Sequence, residues 1–435
     1  MKKKKLSILN GRLIDPANGI DRISDLHIAK GRILAIGPAP EGFEAPVLDA
    51  SGLVVCPGLI DLCAHLREPG KEHKATIASE TAAAARAGIT TLSCPPDTDP
   101  LIDTPAVVGQ IKNKAKQAGY CRILPQGART QGLEGKTLSE MAALKAAGCI
   151  AISNAYRPLI NTLVQRRTLE YAATFDLLTM VRPEDPALAN HGCINEGRIG
   201  DRLGLPGIPH AAETVAVATY LALTEQTGAR IHFQTLSTER AARMVARARF
   251  DKQPVTADVA IHQLFLTELD IDEFDSHTHV KPPLRTTRDR DGLRRAVAEN
   301  VIMAICSDHQ PHEPDAKMAP FPDTEPGVSS LETLLPLTLK LVEEGVMDLS
   351  SAIARLTCGP ADILGLPLGR LNIGHAADIC IFDPHDHWTL HAAQLVSQGK
   401  NTPFDGWEMP GRVHYTLRQG RLVFAHNPLH EPTHE

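Results

Sequence analysis

The chain has 435 residues, of which 43% are hydrophobic and 22% charged, values typical of a globular protein and not of a disordered or fibrous one. That length suits one large barrel with a smaller unit, or two to three ordinary domains. The formal net charge of −6 provides no basic surface for nucleic acid or an anionic membrane, so we expect neither as a partner.

Cysteine usage and the start of the chain indicate a reducing compartment. The nine cysteines are scattered and form no C-x-x-C pair, which argues against a disulfide framework or a structural zinc knuckle. The basic start, residues 1–5, is not followed by an apolar run long enough for a signal peptide. We therefore interpret its lysines as a solvated terminus and predict a cytoplasmic protein.

Both ends of the chain show short alternating strands separated by glycine, a pattern typical of hairpins. These segments are residues 8–14, 31–37, 377–382 and 420–424. We expect them to form one small sheet built from both termini. The predicted small β-rich domain therefore has two parts, residues 1–55 and residues 363–435.

Between the two ends, from residue 56 to residue 362, apolar β-branched runs alternate with helical stretches. The helical stretches include residues 79–87, 138–147, 211–227 and 288–300, and the candidate strands are residues 58–66, 89–94, 122–127, 149–154, 177–181, 230–234, 255–261 and 301–307. Eight βα units predict an α/β TIM (β/α)8 barrel. In that fold chemistry collects at the C-terminal ends of the strands, so the residues after each run are the candidates for a site.

A series of ordered motifs runs through the barrel segment and continues into the C-terminal part of the chain. They are His65-Leu66-Arg67-Glu68-Pro69-Gly70, Asn195-Glu196-Gly197, residues 203–209, Ala212-Glu213, Lys281-Pro282-Pro283-Leu284-Arg285, residues 307–312, Gly327-Val328, Leu331-Glu332-Thr333 and residues 401–404. With these motifs nearly the whole chain resembles the dihydroorotases of the cyclic amidohydrolases. The resemblance implies a metal-dependent TIM barrel with an accessory sheet from both termini, interconverting carbamoyl aspartate and dihydroorotate.

Opening or closing a cyclic amide requires a Lewis acid and a metal-bound water with a lowered pKa. The resemblance implies two histidine ligands on the first strand, a carboxylated lysine or aspartate on the fourth, one histidine each on the fifth and sixth, and an aspartate on the eighth. The matching positions hold Cys63, His65, Asn154, Arg182, Thr235 and Asp308. Only His65 and Asp308 keep the residue type of the family.

The residues at these ligand positions differ in chemistry from those of the family but keep the same spacing along the strands. Cys63 and His65 stand at i and i+2 of a strand and share a face. Arg182 stays protonated and has no lone pair to donate, and Asn154 and Thr235 do not bridge or bind metals as the family residues do. His232 lies three residues before Thr235, on the opposite face of an ideal strand. We therefore expect no metal cofactor and a degenerate site in which Asp308 is a vestigial general acid/base.

Alternatives remain for the individual residues. Cys63 can be a small buried hydrophobe, and His65 and Asp308 can be structural. A single zinc held by Cys63, His65 and Asp308 is the competing interpretation, since zinc accepts sulfur, nitrogen and oxygen donors. His309 and His312 follow the eighth strand and are weaker candidates for metal ligands.

The positions that the resemblance assigns to substrate have changed as well. Arg67 is kept, but Asp97 and Lys281 replace asparagines, and a carboxylate at position 97 would repel the carboxylate of the substrate. We classify these three residues as vestigial substrate-binding positions. We also hypothesise that Arg182 enters the barrel mouth and balances the charge of Asp308 in place of a metal.

The sequence thus predicts a catalytically inactive dihydroorotase-like protein of pyrimidine biosynthesis. It would be similar to those that accompany the aspartate transcarbamoylase catalytic chain, as an assembly subunit in homo-oligomers and hetero-oligomers. The first alternative is an active zinc-dependent dihydroorotase or related cyclic amidohydrolase with a rearranged metal site. The second is a metal-free sensor of small molecules that uses Arg67 and the old pocket.

Overall fold

A computed structural model describes residues 5–426, so most of the lysine-rich start lies outside the described residues. In this range the strands are β1 (Leu6–Leu9), β2 (Arg12–Asp15), β3 (Ile20–Ile23), β4 (Leu26–Ala29), β5 (Arg32–Ile36), β6 (Val47–Asp49), β7 (Val54–Pro57), β8 (Leu59–Asp61), β9 (Ile89–Cys94), β10 (Arg122–Ala128), β11 (Ala151–Ser153), β12 (Leu178–Val181), β13 (Ile194–Asn195), β14 (Gly207–Ile208), β15 (Ile231–Phe233), β16 (Val255–Ala260), β17 (Ala304–Cys306), β18 (Ile379–Thr389), β19 (Glu408–Arg418) and β20 (Arg421–Ala425).

The α-helices of the same residues are α1 (Ile77–Arg86), α2 (Pro105–Ala118), α3 (Met141–Ala147), α4 (Thr162–Thr174), α5 (Pro186–Ala189), α6 (Arg198–Leu203), α7 (His210–Thr227), α8 (Glu239–Phe250), α9 (Thr287–Ala298), α10 (Leu334–Glu343), α11 (Leu349–Leu356) and α12 (Cys358–Leu364). Among the described helices, none is both long enough and apolar enough to cross a membrane.

The predicted TIM barrel is confirmed. An eight-stranded parallel sheet runs in chain order from β8 to β17, and each of the eight predicted strand segments contributes one strand. A parallel bridge between Ala64 and His309 brings the first and last strands together, so the sheet is nearly closed. Its strands are almost entirely buried because helices cover the outer face, which explains their continuous apolar runs.

The sheets at the chain ends differ from the expectation of one small sheet. A six-stranded sheet in the order β20-β19-β18-β7-β2-β3 does combine both termini, but β5-β4-β1-β6 form a second sheet from the N-terminal part alone. The two sheets separate between β1 and β2, where Asn10 has a φ of 63° and Gly11 passes close to Val55. A Cβ on Gly11 would lie 2.5 Å from Val55 Cγ2, so this sharp crossing requires glycine.

Several motifs of the sequence form one buried hydrogen-bond network around the loop after β15. Each carboxylate oxygen of Glu213, in the first turn of α7, accepts two hydrogen bonds, from the backbone N–H and hydroxyl groups of Ser237 and Thr238, at 2.6–3.0 Å. Arg285 donates to Ser237 Oγ at 3.2 Å and to Asn195 Oδ1 at 2.9 Å. The network fixes the end of one barrel strand and the start of α8.

We expect Glu213→Gln to lower the free energy of unfolding by about 1–3 kcal/mol, because one oxygen that accepts two bonds becomes an NH₂ group facing donors. Glu225→Gln is the matched control, since Glu225 is exposed on the same helix, and its effect should stay within about 0.5 kcal/mol. Urea titration followed by circular dichroism measures both. Equal midpoints for the two variants would contradict a stabilising role for the Glu213 network.

Candidate functional site

The candidate site lies at the C-terminal mouth of the barrel, where the residues that follow different strands converge. Donor atoms of Cys63, His65 and Asp308 all lie within 4.8 Å of one another. The strand predicted over residues 58–66 ends earlier, at Asp61, yet Cys63 Sγ and His65 Nε2 still face each other at 3.9 Å. Three of the six predicted positions therefore form a cluster of possible ligand atoms.

Asp308 is the centre of this cluster and is almost fully buried. Its Oδ2 accepts a hydrogen bond from Arg182 Nη2 at 2.8 Å, and its Oδ1 accepts one from Tyr156 Oη at 2.7 Å. The Cys63 thiol donates to the same Oδ1 at 3.4 Å. Burial raises the pKa of the Asp308 carboxyl, but the charge of Arg182, with smaller effects from His262 and His65, outweighs it and holds that pKa below its ordinary value.

Arg182 follows β12 and enters the mouth of the barrel as hypothesised. Its Nε donates to Thr235 Oγ1 at 2.9 Å and its Nη1 to the Lys281 carbonyl at 2.7 Å, in addition to the bond with Asp308. The guanidinium carbon lies 3.7 Å from the centroid of the Tyr156 ring, and the side chain is 8% exposed. Burial lowers the pKa of Arg182, but Asp308 outweighs burial and the net pKa is raised, so the group is a permanent cation.

Tyr156 is a site residue that sequence reasoning missed. It lies in the loop after β11, two residues beyond Asn154, and contacts Asp308, Arg182 and the imidazole of His65, whose ring centroid is 5.1 Å from its own. Burial raises the pKa of Tyr156 well above its ordinary value, so its hydroxyl remains a proton donor. Position just after a barrel strand was the available signal, but a lone loop tyrosine matches no ligand pattern.

Asn154 itself does not join the cluster. Its Oδ1 accepts from Thr130 Oγ1 at 2.9 Å, and its Nδ2 donates to the carbonyls of Leu133 and Arg157 at 3.2 and 2.8 Å. The side-chain amide therefore connects two loops. Tyr156 points into the mouth from the same loop instead.

The predicted substrate positions are also engaged with protein groups. Asp97 holds the imidazole of His65, whose Nδ1 lies 2.9 Å from both carboxylate oxygens, and Arg67 Nη1 lies 4.0 Å from the same carboxylate. Burial raises the pKa of Asp97, but the lowering effects of His65 and then of Arg67 outweigh burial, so the pKa lies below its ordinary value. Lys281 Nζ pairs with Glu184 Oε1 at 2.8 Å. Asp97 therefore orients His65, a role that the sequence did not suggest.

The other histidines considered as ligands from the sequence have partners outside the cluster. His309 lies 2.7 Å from Glu80 Oε2 through Nε2 and accepts a backbone bond from Ser330 through Nδ1. His312 lies beside Arg67, 3.3 Å from its Nη2, and burial first, then Arg67, lowers the pKa of His312 to about 2. His232 lies 2.9 Å from the carboxylate of Asp258. These rings are held within the barrel and its loops and do not join the cluster.

Two further polar groups at the strand ends were not anticipated. His262, 1% exposed just beyond β16, and Gln234, 4% exposed just beyond β15, have nitrogens without a hydrogen-bond partner among the described residues. Burial lowers the pKa of His262 to about 4, so its imidazole is neutral at pH 7. Asp308 raises and Arg182 lowers the pKa of this imidazole, and both effects are smaller than that of burial.

The donor set does not fit a pair of metal ions. Asn154 is turned away, Arg182 is cationic, and Thr235 accepts a hydrogen bond from that same arginine. A single ion at Cys63, His65 and Asp308 would have to compete with Arg182 and Tyr156 for the carboxylate oxygens. Burial first, and then Asp308, raises the pKa of the Cys63 thiol, which disfavours the thiolate that binds zinc.

Comparison with known proteins gives consistent results along the chain. The model of the family "Dihydro-orotase-like" matches residues 52–241, and that of "Amidohydrolase family" matches residues 195–423. A "Dihydroorotase-like protein" of Pseudomonas putida is 50% identical over 424 residues, covering 97% of this chain and 99% of its own. A "Dihydroorotase" of Geobacter sp. (strain M21) is 43% identical over 422 residues, covering 96% and 99%.

Solved structures share the fold. The L-hydantoinase (dihydropyrimidinase) from Arthrobacter aurescens superposes with a TM-score of 0.88 at 22% identity, covering 97% of this chain and 96% of its own. The dihydropyrimidinase from Brevibacillus agri NCHU1002 gives a TM-score of 0.85, also at 22% identity, over 97% and 95% of the two chains. At this identity the likeness concerns the architecture alone.

We expect Arg182→Met to lower the free energy of unfolding by about 3–5 kcal/mol, because it leaves Asp308 buried without a cation. Adding Asp308→Asn should recover part of that loss, giving a coupling energy above about 1 kcal/mol in a double-mutant cycle measured by urea unfolding. Arg167→Met with Glu170→Gln is the control cycle on an exposed pair of α4, with an expected coupling below about 1 kcal/mol. Additive effects of the two site variants would refute the proposed pairing.

Proposed function

Because the chain belongs to the dihydroorotase-like family of the amidohydrolases, we propose that it is a non-catalytic member of that family, an assembly subunit for aspartate transcarbamoylase in pyrimidine biosynthesis. In this proposal the protein works in the cytoplasm, needs no metal cofactor, and forms homo-oligomers and hetero-oligomers with the transcarbamoylase catalytic chain. Its barrel provides shape and surface, and the reaction of the family is absent.

The Arg182–Asp308 ion pair is the observation that carries the proposal. Hydrolysis of a cyclic amide needs a Lewis acid and a base that can take a proton from water. Arg182 is a cation, but its guanidinium group has no lone pair and cannot act as a Lewis acid in place of a metal. Both oxygens of Asp308 accept hydrogen bonds, and the pKa of its carboxyl group is held below the ordinary value. A carboxylate of this kind is a weak base and a guanidinium is not a metal ligand, which supports the proposal that the protein is non-catalytic.

The network around the retained motifs supports a structural role. Glu213 and Arg285 hold the loop after β15, and Asn401 ties the C-terminal segment to the barrel through Gln310 and Gly327, whose carbonyls accept from its Nδ2 at 2.9 and 3.0 Å. These contacts maintain the loops and the outer shape. They have no need of a working metal centre, so such motifs can persist in a protein that acts through its surface.

The names of the relatives at 50% identity are consistent with the proposal. The proteins of Pseudomonas putida and Pseudomonas aeruginosa, each 50% identical to this chain, are named "Dihydroorotase-like protein". Relatives at 43% identity are named "Dihydroorotase".

We propose that Arg67, Asp97 and Lys281 mark the former substrate side of the site in this chain.

The alternative is an active zinc-dependent hydrolase that opens or closes a cyclic amide at a rearranged site. It is favoured by the convergence of Cys63, His65 and Asp308 within 4.8 Å and by the orientation of His65 by Asp97. These residues would bind one zinc after Arg182 had moved away from Asp308. The two functions differ in metal content and turnover.

We expect the purified protein to contain well under one equivalent of zinc and to show no dihydroorotase turnover in the same sample. Metal analysis by mass spectrometry and an assay of dihydroorotate formation at several zinc concentrations measure both. Cys63→His should remain inactive, because Asn154, Arg182 and Thr235 are unchanged. Stoichiometric zinc together with turnover that disappears in Asp308→Ala would establish the hydrolase and overturn the proposal.

Co-expression with the aspartate transcarbamoylase catalytic chain should give a stable hetero-oligomer that elutes as one species in size-exclusion chromatography with light scattering. Arg182→Lys in the same experiment is expected to leave the complex unchanged, because the pair with Asp308 lies in the mouth of the barrel. Separate elution of the two chains at micromolar concentration would contradict the assembly role.

A further inference from the structure

A groove on the outer surface of the barrel lies between α7 and α8, away from the mouth. Its volume is about 670 Å³, and its apolar floor includes Leu221 and Met244. Arg240, Arg243 and Arg247 of α8 line it at positions i, i+3 and i+7, so they form one stripe along the helix.

Two of these arginines have no ion pair within residues 5–426. Arg247 pairs with Asp251 at 2.8 Å, one turn further along. Arg240 and Arg243 are exposed and take part in no described salt bridge or side-chain hydrogen bond. In a chain of net charge −6, this places two free cations at the edge of an apolar groove.

The neighbouring helix presents an apolar face to the outside. The exposed side of α7 carries Ala211, Val215, Ala218 and Ala222, spaced at i, i+4, i+7 and i+11, and Val215 is 43% exposed. A helix that is apolar on its outer as well as its inner side is normally covered by another element. Within one chain nothing described covers it.

Charge complementarity indicates which kind of partner can bind in the groove. α4 packs on one side of α7 and α8 on the other. In a two-fold pair of this chain across α7, α8 would therefore face either another α8 or α4, which carries Arg166 and Arg167 against a single Glu170. Arginines would oppose arginines in both arrangements, so a second copy is disfavoured.

Nucleic acid fits the groove poorly as well. Glu239 and Asp251 line the same groove and pair with Arg288 and Arg247, so among the described lining residues only Arg240 and Arg243 remain as unpaired cations for a phosphate backbone. A protein helix can place isolated carboxylates against individual arginines and avoid the acidic residues. It can also cover the apolar floor, which a polynucleotide backbone cannot.

We propose that the groove between α7 and α8 binds an acidic amphipathic helix of a protein partner. Two carboxylates one helical turn apart pair with Arg240 and Arg243, and an apolar side chain between them packs on Leu221 and Met244. The inference rests on the proposed function in one respect, since the partner used to test it is the transcarbamoylase catalytic chain.

The test compares the affinity of that chain for the wild type and for Arg240→Glu with Arg243→Glu, using biolayer interferometry on the full-length proteins. We expect the double charge reversal to raise Kd at least tenfold and to weaken the salt dependence of Kd. Both residues are exposed, so the variant should keep the circular dichroism spectrum and melting temperature of the wild type. Arg22→Glu with Lys116→Glu, on exposed positions of β3 and α2, is the matched control and should leave Kd unchanged.

The outcomes separate the two proposals. A wild-type complex whose Kd is the same in the charge-reversed variant overturns the groove inference and leaves the assembly role in place. No wild-type complex at all overturns both. Two further results would assign the groove to a different occupant and also overturn the inference. The first is that the charge-reversed variant differs from the wild type in self-association, measured by analytical ultracentrifugation on this chain alone. The second is that the wild type binds an RNA homopolymer and the variant does not.

Discussion

A carboxylate buried at the mouth of the barrel needs a positive charge nearby, and in this protein the charge comes from Arg182. The guanidinium reaches Asp308 from a neighbouring part of the barrel and is held by Thr235, Lys281 and the face of Tyr156. Because a guanidinium is planar and presents several N–H groups, one side chain joins the ends of β12, β15 and β17. Both oxygens of Asp308 and all three nitrogens of the Arg182 guanidinium group are thereby hydrogen-bonded to protein groups.

The same pair supports the proposal that this chain keeps the fold of the family without its reaction. The barrel requires buried strands, hydrogen-bonded loops and a counter-charge for Asp308, and Arg182 supplies that counter-charge. Metal-assisted catalysis requires ligands with available lone pairs, whereas Arg182 has none and the Asn154 oxygen accepts a hydrogen bond from Thr130. A fold can therefore be retained in full while the activity associated with it depends on a few side chains.

The buried networks and the outer surface indicate where the function of such a protein would lie. Glu213, Arg285 and Asn401 use their polar groups to fix loops and the C-terminal segment. On the outside, α7 and α8 combine an apolar face with arginines that have no described ion pair. An Asp308 carboxylate engaged by Arg182 and Tyr156, together with surface arginines that have no described ion pair, supports the proposal that this protein acts through its surface.

The sequence by itself determined the barrel, because eight β-branched runs alternating with helical segments have few other ways to bury their apolar faces. The resemblance of its motifs to the dihydroorotases also identified the changed residues at Cys63, Arg182 and Thr235, because the ligand positions of that family can be matched strand by strand. The tertiary structure alone decided that the chain ends form two sheets, that Tyr156 and not Asn154 reaches Asp308, and that Asp97 holds His65. These features depend on loop paths and on contacts between residues far apart in the chain, which local pattern and periodicity do not encode.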